Sequence, residues 1–190
     1  MRNVIPKDAK MIPDTAKRVF KGIIFDVYHW QQEMFDGSFK TFEMLRRPDT
    51  VRVIAIKDEK IVVLQEEQPG RQPFFGIPGG RHDREDESEL DAAKRELLEE
   101  TGLTFSEWRL LDVVQPQPKM DYFVYSFLAT GLESGLAAKK DSGERIEVRL
   151  LDLDEVKKIV NDPKARPMAN EIFASVPSLE ELINLPAYRP

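Results

Sequence analysis

The stretch 79–103 constrains the fold of this chain more than any other, because it joins a glycine-bearing loop to a helix with two defined ends. Its sequence reads GGRHDREDESELDAAKRELLEETGL. Ser88 is a favoured N-cap residue, and Gly102 suits the position just beyond a helix C-terminus. Glu89 and Asp91 lie where the positive end of the helix dipole stabilises carboxylates. The sequence therefore predicts a helix between Ser88 and Gly102.

The predicted helix has an apolar face and an acidic face. Leu90 and Leu97 fall on the apolar face at 3.6 residues per turn. Glu96, Glu99 and Glu100 meet on the acidic face, since residues three and four apart are neighbours. Three adjacent carboxylates repel one another unless a cation lies among them, and Mg²⁺ or Mn²⁺ with oxygen ligands satisfies that need. The alternative is an acidic face exposed to solvent, which is the usual role of a charge run.

The residues around these glutamates favour the metal interpretation, because the stretch resembles the Nudix box, G-x5-E-x7-R-E-U-x-E-E-x-G-U, where U is a large aliphatic residue. The matching residues are Arg95, Glu96, Leu97, Glu99, Glu100, Gly102 and Leu103. Glu87 lies eight positions before Arg95, as the pattern requires. Six residues instead of five separate Gly80 from Glu87. The extra residue falls in the loop, so it leaves the spacing of the helical glutamates unchanged.

The resemblance implies an enzyme that cleaves a nucleoside diphosphate linked to another group by water attack on a phosphorus of the pyrophosphate. Its metal, Mg²⁺ or in its place Mn²⁺, would be held by Glu96, Glu99 and Glu100, and by the carbonyl of Gly80 or of its neighbour Gly79. Arg95 would orient the carboxylates. Two roles stay open for Glu87, namely ligation through a water molecule and bracing of the loop.

The attacking water also needs a base. In some Nudix proteins a box glutamate serves, which here is Glu100. In the ADP-ribose hydrolases the base comes from a loop late in the sheet, which here corresponds to residues 132–143. Glu144, at the end of this loop, is then the first candidate and Asp141 the second. The alternative for both is an ordinary solvated loop carboxylate.

Features outside the box resemble the ADP-ribose and nucleotide-sugar pyrophosphatases. They are an N-terminal hairpin, Arg47 before Pro48, Gln68 with Arg71, and Pro118 sixteen residues past Gly102. Arg71 would donate to a phosphate and Gln68 would contact a base or ribose. Arg46 and Arg47 are further candidates for substrate binding. In a dimer they would contact the substrate bound by the partner subunit. Alternatives are a Nudix hydrolase of dinucleoside polyphosphates or nucleoside triphosphates, and a nucleotide-sensing module without catalysis.

The order of predicted elements indicates a fold of the α/β (α+β) class. The architecture expected within this class is an α/β/α sandwich with a mixed central sheet and an N-terminal β-hairpin extension. Strands are predicted over residues 18–28, 40–46, 51–56, 61–65, 108–114, 121–129 and 145–151, helices over 88–102, 152–160 and 178–185, and loops over 66–75 and 131–143. Residues 1–17 are expected to be extended or poorly ordered. We divide the chain into an extension, 1–49, and a Nudix domain, 50–190.

The aromatic residues of the extension have more than one possible role. Core packing is the commoner fate of residues such as Trp30, Phe35, Phe39 and Phe42. Stacking on a nucleobase and burial in a dimer interface are the alternatives. Since the resembling pyrophosphatases are usually dimers built through their N-terminal strands, the resemblance implies a homodimer here.

Charge and composition narrow the functional classes. A net charge of −6 over 190 residues disfavours non-specific nucleic-acid binding, which needs a basic surface. No apolar run of about 18 residues is present, so no membrane span is expected. The absence of cysteine excludes disulfides, a thiol nucleophile and a cysteine-zinc site. A cytoplasmic location is therefore expected, and the Nudix resemblance implies a small-molecule nucleotide substrate.

Overall fold

A computed structural model describes residues 2–84, 86–135, 145–162 and 167–190. Its strands are β1 (Lys17–Lys21), β2 (Asp26–Glu33), β3 (Phe39–Arg46), β4 (Asp49–Lys57), β5 (Lys60–Glu67), β6 (Phe74–Gly76), β7 (Gly79–His82), β8 (Leu103–Val114), β9 (Met120–Asp121), β10 (Val124–Gly135) and β11 (Arg145–Leu151). Its helices are α1 (Glu89–Thr101), α2 (Leu153–Val160), α3 (Asn170–Ser175) and α4 (Leu179–Ile183). Within these ranges no helix has the length and apolar character to cross a membrane.

The central sheet is mixed and has the order β11-β5-β4-β10-β8. β4 and β10 run parallel, whereas β10 and β8, β4 and β5, and β5 and β11 run antiparallel. The short strands β6 and β7 add to β5 and β4. β4 therefore lies in the middle of the sheet, between β10 on one side and β5 and β7 on the other, and β7 leads the chain towards α1.

Helices cover both faces of this sheet. Ala93 and Leu97 of α1 pack with Val51 and Val53 of β4 in one core. Ile54, one residue further along, belongs to the second core with α2, α3 and α4. Since side chains alternate along a strand, the two cores lie on opposite faces of β4. The α/β/α sandwich is confirmed, and it explains why β4 and β5 are apolar on both sides.

The predicted starts of α1 and α4 and the predicted end of α1 are confirmed by their hydrogen bonds, whereas α4 ends at Ile183 instead of residue 185. The Ser88 hydroxyl accepts from the Asp91 N–H at 3.1 Å. Gly102 has a left-handed φ of 72°, and its N–H donates to the Leu98 carbonyl. Ser178 caps α4 by accepting from the Glu181 N–H at 3.2 Å. Local capping chemistry therefore fixes where these helices begin and end.

The N-terminal strands form a second sheet, β1-β2-β3-β9. The predicted continuous strand over 18–28 is wrong, because a tight turn closed by the Gly22 N–H on the Phe25 carbonyl divides it into β1 and β2. The predicted hairpin is confirmed as β2–β3. Phe35 and Phe39 are 112% and 62% exposed, so core packing is the wrong role for them.

The expectation of poor order in the first residues is also wrong. Arg2 donates to Asp49 at 2.6 and 2.8 Å and pairs with Asp121, whose carboxylate also accepts from Arg46 at 2.7 Å. The Tyr125 hydroxyl donates to the Val4 carbonyl. This segment lacks regular secondary structure, but long-range ion pairs hold it along the sheet, and a local pattern cannot signal them.

Two further differences concern the second half of the chain. Residues 131–135 continue β10 and pair with β8, although they were predicted as the start of a loop. Helix α3 was not predicted. It has six residues, and its N-cap Ala169 adopts a left-handed φ of 61° without a side-chain cap, so the usual sequence signal for a helix start is missing.

We predict that Asp121→Asn destabilises the fold by about 3 kcal/mol, because Asp121 is fully buried and its charge compensates two guanidinium groups. Urea-induced unfolding measures the change. Glu147→Gln, which removes a partner from the exposed Arg149 pair, is the control and should cost less than about 1 kcal/mol. Equal stability of the two variants would show that the buried pairs contribute nothing.

Candidate active site

A cavity of about 1270 Å³ opens where α1, β4 and the glycine loop meet, and it extends to α3. Its acidic wall is formed by Glu96, Glu99 and Glu100. Other lining residues come from β4, β5, β7, α3 and the connections between strands, and they include Arg47, Arg52, Glu66, Gln68, Gly79, Gly80, Tyr122, Asn170 and Glu171. The cavity is large enough for a nucleotide-sized ligand.

Arg95 is the centre of the acidic wall. Its guanidinium donates to both carboxylate oxygens of Glu87, at 2.8 and 3.1 Å, and to Glu96 and Glu99, at 2.6 and 3.2 Å. It also donates to the Arg81 carbonyl at 3.1 Å. These bonds hold the pKa of Glu87 below its ordinary value. Glu87 thus braces the loop against α1 through Arg95, which corresponds to the second of its two expected roles.

The Glu96 side chain is 16% exposed, against 39% for Glu99, and burial raises the pKa of Glu96. Arg95 opposes this shift, whereas the charges of Glu99 and Asp83 add to it. The carboxylate of Glu96 lies directly against Gly80, where a Cβ atom would come within 2.4 Å of it. A side chain at position 80 would therefore displace this carboxylate.

Glu99 and Glu100 have different hydrogen-bond partners. Glu99 pairs with Arg95 and with Arg84 at 3.2 Å, and Glu100 accepts from the Gly79 N–H at 2.9 Å. In the described part of the chain, no three histidine, aspartate or glutamate side chains converge to hold a metal. The predicted glutamates thus line one wall, with their oxygens held by protein donors. An all-oxygen set beside an open glycine backbone nevertheless fits a hard divalent cation.

The predicted substrate residues divide into two groups. Arg47 and Gln68 line the cavity. Arg71 and Pro118 are exposed and lie outside its described lining, where Pro116 is found instead. Arg46 pairs with Asp121. The candidate bases Glu144 and Asp141 lie outside the described residues, so their roles stay predictions.

Two cavity residues were missed in the sequence. The Arg52 Nε donates to the Ser126 hydroxyl at 2.7 Å, and burial lowers the pKa of Arg52. The Tyr122 hydroxyl donates to Thr50 at 3.0 Å, and the Arg47 guanidinium lies 4.4 Å from the centre of the Tyr122 ring. Arg52 did leave a signal, since it is the one charged residue within the apolar strand sequence VRVIAI.

Comparison with known proteins is consistent with this geometry. The family model described as NUDIX domain matches residues 46–172. The chain is 32% identical over 149 residues to an ADP-ribose pyrophosphatase of Bacillus subtilis (strain 168), covering 76% of this chain and 80% of that protein. It is 26% identical over 172 residues to a methanol dehydrogenase activator of Bacillus methanolicus, covering 88% and 92%.

A solved structure described as an ADP compounds hydrolase matches with a TM-score of 0.64 at 22% identity. The match covers 78% of this chain and 81% of that one. At this level of identity the likeness concerns the fold, and it agrees with the sandwich described above.

The two loop glycines should respond differently to a methyl group. In Gly79→Ala, the Cβ would lie 2.2 Å from the Val51 carbonyl oxygen, so we predict a loss of roughly 1–3 kcal/mol in unfolding free energy. In Gly80→Ala, the contact is the flexible Glu96 carboxylate, which can move away, so stability should change less. Gly135→Ala, whose nearest contact is 3.7 Å, is the control. Wild-type stability of Gly79→Ala in denaturant unfolding would contradict this packing.

Proposed function

We propose that this chain, which belongs to the Nudix family of hydrolases acting on pyrophosphate bonds, cleaves ADP-ribose or another nucleotide sugar. The products would be a nucleoside monophosphate and a sugar phosphate. The relative of known activity that supports this choice is the ADP-ribose pyrophosphatase of Bacillus subtilis (strain 168). The single observation that carries the proposal is a cavity with both an acidic wall and arginines that make no ion pair with a carboxylate of the described residues.

The acidic wall suits a divalent cation. Nudix hydrolases generally use one, and we propose Mg²⁺, with Mn²⁺ as a substitute. Glu96, Glu99 and Glu100 would hold it, together with the backbone carbonyl of Gly80 or Gly79. When bound, such a cation neutralises charge on the diphosphate and makes a coordinated water more acidic.

The side chains of this protein contribute orientation and proton transfer. Arg95 keeps Glu96 and Glu99 on one wall, which reduces the reorganisation needed when ligand binds. Glu100, which accepts a hydrogen bond from the Gly79 N–H, would accept a proton from the attacking water. Glu144 and then Asp141 are the alternative bases.

The substrate residues would act at the opposite side of the cavity. Arg47, stacked on Tyr122, has its charge available for a phosphate. Gln68, from the loop between β5 and β6, would contact a base or ribose. Arg71 and Pro118 would reach the substrate only if their exposed loops close over it.

We predict that Glu99→Gln and Glu100→Gln each reduce Mg²⁺-dependent release of AMP from ADP-ribose by at least about 100-fold. Each removes a negative oxygen donor for a cation that stabilises transition-state charge by several kcal/mol. Product masses after reaction in ¹⁸O water would show which phosphorus the water attacks.

Glu147→Gln makes the same change of carboxylate to carboxamide at an exposed position of β11. It is the matched control and should keep wild-type turnover. Wild-type rates in both cavity variants would refute the proposed metal site. Turnover of dinucleoside polyphosphates or nucleoside triphosphates with inert nucleotide sugars would instead assign a different Nudix substrate.

We also propose a homodimer formed through the N-terminal strands, with residues 1–49 as the dimerising extension and 50–190 as the catalytic domain. The β1–β2 hairpin exposes a set of apolar side chains: Val19, Phe20, Ile23, Ile24 and Phe25, with Ile23 fully exposed. Such a continuous apolar surface is typical of an interface. The net charge of −6 disfavours nucleic acid as the partner, and the cysteine-free sequence is consistent with the cytoplasm.

Ile23→Asp should therefore convert a dimer to a monomer in sedimentation velocity, without loss of monomer stability, because Ile23 makes no buried contacts in the single chain. Leu132→Asp, at an exposed apolar position of β10, is the control and should remain dimeric. A wild-type protein that sediments as a monomer at all concentrations would contradict the dimer.

A further inference from the structure

Arg52 lies on the face of β4 opposite α1. Its neighbours Val51 and Val53 belong to the core beneath α1, whereas Ile54 belongs to the core beneath α3. Because side chains alternate along a strand, Arg52 projects to the α3 side. The cavity reaches this side, since Arg52 and Glu171 of α3 both line it.

A hydrogen bond orients the guanidinium of Arg52, but no carboxylate of the described residues forms an ion pair with it. Its Nε donates to Ser126, the residue directly opposite on β10. None of the ion pairs between described residues includes Arg52. Glu171 and Asp112 act on its charge only from a longer range. Every buried side-chain nitrogen of the described residues has a hydrogen-bond partner. The two terminal nitrogens of Arg52 have no such partner among these residues, so they are not buried. They therefore face the cavity and its solvent.

A partly buried cation without a contacting carboxylate is costly, and an anionic ligand would offset that cost. Burial lowers the pKa of Arg52, which reports the same unfavourable environment. Arg47 is the second cavity arginine that makes no ion pair with a carboxylate of the described residues, and its guanidinium lies 4.4 Å from the centre of the Tyr122 ring. Both arginines line the same cavity as the glutamates of α1.

We propose that Arg52 binds a phosphate group of the nucleotide substrate on the α3 side of the cavity. The planar guanidinium, held by Ser126, presents two terminal nitrogens in the geometry that phosphate oxygens accept. This phosphate is either the diphosphate group that water does not attack or an additional phosphate on a ribose. The inference rests on the proposed function only for the identity of the nucleotide.

The test compares wild type with Arg52→Gln and Arg52→Lys on ADP-ribose and on 2′-phospho-ADP-ribose, both with Mg²⁺. Arg52→Gln should raise KM roughly 10- to 100-fold, the range expected for a lost charge-assisted hydrogen bond, while kcat changes little. Arg52→Lys should keep part of the affinity. Equal effects on both substrates identify the diphosphate, and an effect on the 2′-phosphorylated substrate alone identifies the ribose phosphate.

Calorimetric titration with inorganic pyrophosphate provides a readout that does not depend on turnover. A weaker affinity in Arg52→Gln supports the inference even if wild type hydrolyses neither nucleotide. Arg149→Gln, which removes an exposed arginine of β11, is the control. Ser126→Ala, which removes only the orienting partner, should shift the same constants in the same direction by less. Wild-type KM values and pyrophosphate affinity in folded Arg52→Gln would overturn the inference.

Discussion

The contact of Arg95 with three glutamates is the interaction on which the site depends. One guanidinium joins the loop carbonyl of Arg81, the loop carboxylate of Glu87 and the helical carboxylates of Glu96 and Glu99. The planar fork of arginine can serve several acceptors at once, which a lysine ammonium cannot do with the same geometry. Without it, the acidic wall would be a set of mutually repelling charges on a partly buried helix face.

This interaction explains why the extra residue between Gly80 and Glu87 is tolerated. The loop between them is exposed at its tip, whereas its two ends are fixed, Gly80 against the Glu96 carboxylate and Glu87 on Arg95. An insertion between two fixed ends changes the path of the loop without moving either end. The side-chain positions that matter for chemistry are set by α1 and by the β4–β7 pairing.

Local patterns in the sequence predicted the features that interactions between residues close in sequence determine, such as helix ends and the burial of a strand. The caps Ser88 and Gly102 fixed α1, and the two-sided apolar character of β4 and β5 indicated a covered sheet. Long-range features were not predictable in this way. The ion pairs of Arg2 with Asp49 and Asp121 join residues far apart in sequence, and the short helix α3 lacks a capping side chain. The cavity arginine Arg52 acquires its meaning only when β4, β10 and α3 are assembled.

The cavity that results is lined by groups of both charges. The carboxylates of α1 suit a cation, and the guanidinium groups of Arg47 and Arg52 suit phosphate. A diphosphate bound between them would have its charge compensated from both sides, and the remaining volume would accommodate the groups attached to it. This arrangement accounts for hydrolysis of a pyrophosphate bond without a cysteine or serine nucleophile, since positioning and charge compensation supply most of what the reaction requires.

The most direct test of this account is the metal dependence of ADP-ribose hydrolysis. Protein dialysed against EDTA should release no AMP, and added Mg²⁺ should restore release with one ¹⁸O atom from labelled water in one of the two phosphate products. Undiminished release of AMP in excess EDTA would contradict the assignment of the glutamate wall as a metal-dependent pyrophosphatase site.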